Sequence, residues 1–314
     1  MISAIVRPIL YGCVVLVLAM ACLVLMIHLV PGDPATTLLG PRATEGAKAA
    51  LRSQMGLDRS LPMQVVGYVQ KVLAGDLGTD ILSRRPIATI IFNQLPYTLA
   101  LIGISILFAA AIGIPLGCYS ALHRNSAVDN VIGVLSIGAI AMPSFVIAIY
   151  CVLFFSITLK LLPAIGAGQS GNIVSQLKYL ILPGLAIGLN WVGYLARFVR
   201  SSMLEVLGER HIRSARAHGL SETRILFSYA LPLAILPTVT MIGVSIGPLI
   251  SSAVLVEIVF ARPGIGKLMF DSIAQRNYPV VMAVVLVTTI LFIVCTTIAD
   301  IISGLIDPRV RHRS

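Results

Sequence analysis

Apolar residues run along this chain in unbroken blocks instead of alternating with polar ones. The blocks cover about 9–30, 97–122, 131–159, 179–195, 234–260 and 280–305. A helix rising 1.5 Å per residue needs about 20 apolar residues to cross a hydrocarbon core. The pattern predicts an all-α integral membrane protein with six transmembrane helices, built as one transmembrane domain over 1–314. The first block sits where a signal peptide would. It is too long for an h-region, however, and runs into Pro31-Gly32-Asp33-Pro34 without a small-residue cleavage site, so it reads as an uncleaved span.

Two connectors are long. Residues 31–96 carry helical patterns at Ala43–Met55 and Pro62–Leu73, and residues 198–232 form the one large loop on the opposite side. Pro115, Pro143, Pro183, Pro237 and Pro248 fall inside or at the ends of blocks. Inside a bundle, neighbouring helices and Ser/Thr side chains take up the carbonyls that proline frees. Small residues, as in Ala109-Ala110-Ala111-Ile112-Gly113 and Gly243-Val244-Ser245-Ile246-Gly247, let helix backbones approach closely.

Composition agrees with the blocks. Hydrophobic residues make up 57% of the chain and charged ones 11%, against about 25% charged in an average soluble domain. Mean hydropathy is +0.95. The net charge of +10 does not point to nucleic acid, because no basic stripe is interleaved with aromatics. Basic residues instead mark the cytoplasmic side of a membrane protein. With the N-terminus inside, the internal connectors and termini hold Arg7, Arg124, Arg197, Arg200, Arg210, Arg213, Arg216, Arg224, Arg309, Arg311 and Arg313. The short outer loops hold Lys160, Lys178, Arg262, Lys267 and Arg276. Eleven against five places both termini in the cytoplasm.

Catalytic and metal chemistry finds no support. Cys13, Cys22, Cys118, Cys151 and Cys295 lie singly within apolar stretches and read as packing residues. His211 and His218 read as a solvated face. Gly264-Ile265-Gly266-Lys267-Leu268 has Ala261 where a phosphate-binding loop needs its first glycine and Leu268 where it needs Ser or Thr. It reads as a tight external turn. No paired carboxylates or H-E-x-x-H is present. Glu257 and Asp300 are read as the acids within or bordering the spans, near opposite membrane faces, which leaves an ion-driven secondary transporter as the alternative class. Ser136, Ser144, Asn190, Thr238, Thr240, Ser245 and Ser251 line a path or bridge helices, with bridging the better reading.

The internal loop is the informative segment. Arg210, Arg213 and Arg216 recur every three residues on one side of a short helix, with Ile212 and Ala215 as its apolar face. Gly219 suits the left-handed position that ends a helix. Ser221 then suits an N-cap, with Glu222 in the first turn of the next helix. A helix of this kind lies on anionic lipid or in a groove of a partner protein.

The same segment resembles the EAA motif of ABC-importer membrane subunits. Ala215 stands at the second alanine, Gly219 at the glycine, and Leu231-Pro232 at the closing Leu-Pro. Arg213, Ser214 and Tyr229 depart from the general pattern, and Arg213-Ser214-Ala215-Arg216-Ala217 is the form the motif takes in the peptide/nickel (dipeptide/oligopeptide) permease subfamily. Further stretches resemble that subfamily in order along the chain. They include Pro31-Gly32-Asp33-Pro34, Gly75-Asp76-Leu77-Gly78, Arg200-Ser201-Ser202-Met203, Pro263-Gly264-Ile265-Gly266, Tyr278-Pro279-Val280 and Asp307-Pro308-Arg309.

The resemblance implies a type I ABC importer (MetI-like) permease fold and a transport subunit, not an enzyme, in the bacterial inner membrane. It implies a second homologous permease, two ATPase subunits that bind ATP and Mg, and an external solute-binding protein, with no cofactor in this chain. Arg210, Arg213, Ser214, Ala215, Arg216, Gly219, Leu231 and Pro232 would form the coupling segment. Dipeptides, oligopeptides or related solutes would be the cargo, with nickel chelates, glutathione and opine-like compounds open. The substrate path is unassigned.

Overall fold

The computed structural model describes residues 12, 14–22, 25, 36, 40, 42–54, 58 and 60–306. Half of the first predicted span, Pro31-Gly32-Asp33-Pro34 and Asp307-Pro308-Arg309 lie outside the described residues, as does the side chain of Asp300. In the outer connector, α1 (Glu45–Gln54) and α2 (Leu61–Leu73) fall where the pattern predicts helices. They are followed by α3 (Ile87–Leu122), α4 (Ala127–Ala141), α5 (Ser144–Cys151) with a π-helical extension over Val152–Thr158, and α6 (Ile173–Leu207). Then come α7 (Arg210–Ala217), α8 (Glu222–Arg224), a π-helical stretch over Ile225–Ala230, α9 (Leu231–Val244), α10 (Ile246–Val259), α11 (Ile265–Ala274) and α12 (Tyr278–Ile306).

Among the described residues, four helical runs are long and apolar enough to cross a membrane: Ile87–Leu122, Ile173–Leu207, Glu222–Val244 and Tyr278–Ala299. A fifth arises if Ala127–Ala141 and Ser144–Thr158, bent by 98° at their junction, count as one span. Apolar side chains such as Leu107, Val134, Leu135 and Phe154 stay more than half exposed along these helices, the surface a bilayer covers.

Proline explains where the runs break. Pro143 frees the carbonyl of Ala139, four residues earlier, and forces the residue before it out of helical geometry. Met142 accordingly sits at φ −84°, ψ 122°. The 131–159 block is thus two limbs and not one straight rod. Pro248 likewise has no N–H for Val244, and α9 ends there, with Ser245 between it and α10. Pro183 and Pro237 remain inside α6 and α9. The stretch read as a tight turn near Gly264 is shorter than predicted, because Ile265 already opens α11.

The chain divides into two compact units. One comprises Met1–Tyr97 with Pro263–Val294. Its apolar core joins the first turns of α3, at Ile87 and Ile91, to Ile265 and to Val280, Ala283 and Val284 of α12. In the same unit Asp80, itself buried, accepts hydrogen bonds from the backbone of Leu82 (3.3 Å) and Ser83 (2.9 Å), from the Ser83 hydroxyl and from the Asn277 amide.

The second unit comprises Thr98–Arg262 with Cys295–Ser314. Its centre is the parallel packing of α3 on α6, which glycine permits. A Cβ on Gly113 would lie 2.9 Å from Leu195 Cβ, and one on Gly117 would lie 2.6 Å from the Ala196 carbonyl oxygen. In the other direction Gly184 lies against Ile104, and Gly188 against the backbone of Ser105. One end of the unit holds a core of Leu101, Ile102, Ile187, Leu249, Val256 and Phe260. There Glu257 is fully buried and accepts from the Thr98 hydroxyl at 2.6 Å. The other end holds the internal loop.

Candidate coupling site

The internal loop begins where α6 ends at Gly208. α7 turns its apolar face inward. Ile212 is fully buried and Ala215 nearly so, against Val199, Met203 and Val206 of α6, Ala121 of α3, and Ile225, Leu226 and Ala230 beyond the turn. Burying Ile212 alone is worth about 1.5–3 kcal/mol. A helix of eight residues is too short to persist in isolation. This seat holds it in place.

The turn after α7 has the hydrogen bonds of a Schellman motif. Leu220 N–H donates to the Ala215 carbonyl at 3.3 Å, and Gly219 N–H to the Arg216 carbonyl at 2.9 Å. Gly219 sits at φ +77° with nothing within 4 Å of where a Cβ would stand. Backbone conformation, and not crowding, requires glycine there. Ser221 occupies the N-cap position with extended geometry, but its hydroxyl makes no capping bond. Arg216 supplies a tie across the turn: its Nε donates to Glu222 Oε1 at 2.7 Å and a terminal nitrogen to Oε2 at 3.1 Å. Hydrogen bonding to Glu222 raises the Arg216 pKa above its ordinary value.

The eight residues singled out from the sequence fall into α7, the turn after it and the start of α9. Arg210, Arg213, Ser214 and Arg216 are exposed on one side of α7, Ala215 is turned into the core, and Gly219 makes the turn. Arg213 also donates to the Gly208 carbonyl at 3.1 Å, which closes the start of the loop. Leu231 packs partly against the same core, and Pro232 opens α9 directly after the π-helical stretch Ile225–Ala230. Pro232 has no N–H for the carbonyl of Ser228, which lies within that wider-wound stretch. The exposed face therefore offers cationic and hydroxyl donors on a helix fixed from behind. His211 and His218 are exposed, and no metal-binding cluster occurs among the described residues.

The sequence reading missed an ion pair next to this site, between a buried carboxylate and a half-buried guanidinium. Asp129, at the start of α4, receives Arg200 Nε at 2.6 Å and a terminal guanidinium nitrogen at 2.7 Å. It borders a predicted span and belongs with Glu257 and Asp300 among the acids at those borders. The signal was present in Arg200-Ser201-Ser202-Met203, but no local spacing links that stretch to Asp129. Of the polar residues read as path or bridge, Asn190 is a bridge. Its amide donates to the carbonyls of Ala139 (3.1 Å), Ile140 (3.1 Å) and Met142 (3.2 Å), the groups left open at the Pro143 bend. Ser245 and Ser251 bond back to Ile242 and Gly247 within the α9–α10 segment.

Comparison with known proteins places the chain in a family. Binding-protein-dependent transport system inner membrane components match residues 113–312, and the corresponding N-terminal family matches residues 1–102. The chain is 37% identical over 305 residues to the glutathione transport system permease protein GsiC of Salmonella choleraesuis (strain SC-B67), covering 97% of each chain. It is 36% identical over 320 residues to the probable D,D-dipeptide transport system permease protein DdpB of Escherichia coli (strain K12), covering 94% of each. An inward-facing crystal form of the MetNI methionine ABC transporter shares the fold, with TM-score 0.58 at 19% identity over 70% of this chain and 97% of that one. The chain belongs to the binding-protein-dependent transport system inner membrane components: it is a multi-pass membrane permease subunit of an ABC importer whose ATPase is a separate subunit.

Proposed function

We propose that this permease carries dipeptides, oligopeptides or related peptide-like solutes inward, and that α7 with the Gly219 turn is where the ATPase subunits drive it. The observation that carries the coupling reading is the two-sidedness of α7. Ile212 and Ala215 bind it to its own bundle, while Arg210, Arg213, Ser214 and Arg216 face away. A helix so mounted transmits force from a partner groove to α3 and α6, which supply its seat. The peptide cargo rests on relatives named for glutathione and D,D-dipeptide transport. In the full reading, two ATPase subunits holding ATP and Mg dock on the cytoplasmic side and a second homologous permease completes the pathway. The solute-binding protein delivers cargo from outside, and both termini lie in the cytoplasm.

The test is transport in proteoliposomes holding the complete complex, with labelled glycyl-leucine and labelled glutathione as separate probes. Uptake that requires ATP and persists after the proton gradient is collapsed supports the reading. Uptake without ATPase subunits that fails with the gradient sinks it. Gly219→Leu separates the coupling site from the rest, since it should lower uptake per ATP hydrolysed in a complex that still assembles.

A further inference from the structure

The Asp129 carboxylate gathers donors from three places. Oδ1 accepts from Arg200 Nε at 2.6 Å and from the Ser120 hydroxyl of α3. Oδ2 accepts from the other Arg200 nitrogen at 2.7 Å and from Asn125 N–H at 2.9 Å. Asn125 lies in the α3–α4 turn at φ +63°. The carboxylate is only 5% exposed and its own N–H is capped by Ser126 Oγ at 3.2 Å. α3, the turn and α6 thus meet on one group.

This clamp stands next to the seat of α7. Gly117 of α3 touches α6 at Ala196, Val199 and the Arg200 backbone nitrogen. Met203 and Val206, within two turns of Arg200, lie in the core that holds Ile212 and Ala215, and Ala121 of α3 joins the same core. The hydrophobic effect that drives apolar burial is non-directional. A bidentate guanidinium–carboxylate pair fixes both distance and orientation, and separating it would leave the buried Asp129 carboxylate without its counter-ion.

We infer that Asp129 and Arg200 are positioning residues for energy coupling: they hold α3, the start of α4 and α6 as one body behind α7, so that a displacement of α7 reaches all three helices together. The inference rests on the coupling role proposed for α7. α4 leads from this clamp to the Pro143 bend, which gives the motion a route into the membrane.

The experiment uses the complete complex in proteoliposomes with its binding protein. It reads labelled glycyl-leucine and glutathione uptake, ATP hydrolysis with and without the binding protein, and the amount of assembled complex. Asp129→Asn and Arg200→Gln should each lower uptake per ATP, and the stimulation of hydrolysis by binding protein, by about tenfold. The double variant should be no worse than either single one, because both remove the same link. Arg200→Lys keeps the charge but not the fork, should fall between, and carries the test if the other variants fail to assemble. Uptake and hydrolysis falling in proportion to lost complex, at an unchanged ratio, would show a merely structural pair and overturn the inference. Gly219→Leu runs alongside. An unchanged ratio there removes the coupling reading itself, whereas a lowered ratio there with wild-type ratios in the Arg200 variants removes this inference alone.

Discussion

Gly219 shows how one backbone angle sets a requirement on sequence. At φ +77° with open space where a Cβ would stand, a substitution meets no clash, only the cost of about 1–2 kcal/mol for an L-residue in left-handed geometry. Asn visits that region more readily than branched residues. The expected order of uptake per ATP is therefore Gly219 ≥ Asn > Ala > Val, and a Val variant as active as Asn would contradict the conformational account. Asp80 makes a different prediction. Burial alone would raise its pKa, but hydrogen bonds from the Ser83 and Asn277 side chains and the Ser83 and Leu82 backbone outweigh it and lower it. A carboxyl with a folded pKa below its unfolded value stabilises the protein above the unfolded value and loses that contribution as pH falls through the folded one. Melting in detergent should hold steady down to about pH 5 and fall below about pH 4, with a shallower acid fall in Asp80→Asn. Gly219 and Ser221 were legible in the sequence because their geometry is set by neighbours a few residues away. Asp80 was not, because Asn277 is 197 residues distant in the chain.

At the scale of elements, prolines mark where helices break, and polar side chains from a neighbour complete them. Pro143 was visible as a proline inside an apolar block, yet the 98° bend was not, because nothing local distinguishes it from Pro183, which α6 absorbs. The bend differs in that Asn190 takes up three carbonyls around it. Asn190→Leu should cost about 1–3 kcal/mol through groups left unsatisfied, read as a lower melting temperature, while Asn190→Ser should recover part of the loss. The close passage of α3 on α6 was half legible. Gly113-Ile114-Pro115-Leu116-Gly117 and Gly184-Leu185-Ala186-Ile187-Gly188 both carry glycines four apart, a spacing that favours helix contact, but the sequence does not say which helix each meets. Gly117→Val should destabilise by about 1–3 kcal/mol because its side chain would strike the Ala196 carbonyl and Val199. Gly133→Val, where the space is open, should pass unnoticed in the same melting assay.

For the molecule as a whole, blocks of apolar residues were enough to predict a polytopic helical protein, while its energy source was legible only through a family resemblance spread along the chain. Cargo was not legible, because the residues that bridge helices and those that line a path are the same types. Sidedness can be argued more firmly from fold and charge together. α3 and α6 pack in parallel, since Gly184, Gly188 and Gly113, Gly117 meet in ascending order along both helices. The turn after α3 and the loop after α6 must then emerge at one membrane face, and Ala121 and Met203 meet Ile212 at that end. In the proposed orientation that face, with its excess of arginine in these connectors, is the cytoplasmic one. Single cysteines placed at Asn125 and Arg210, in a background with the native cysteines replaced, should react with a membrane-impermeant maleimide only in inverted vesicles. Cysteines at Asn172, which caps the opposite end of α6, and at Arg84 in the outer connector should react only in intact cells. Asn125 and Arg210 labelled from opposite sides would refute the parallel pairing of α3 and α6, whereas both labelled from outside would reverse the orientation and remove the cytoplasmic face on which the coupling role of α7 depends.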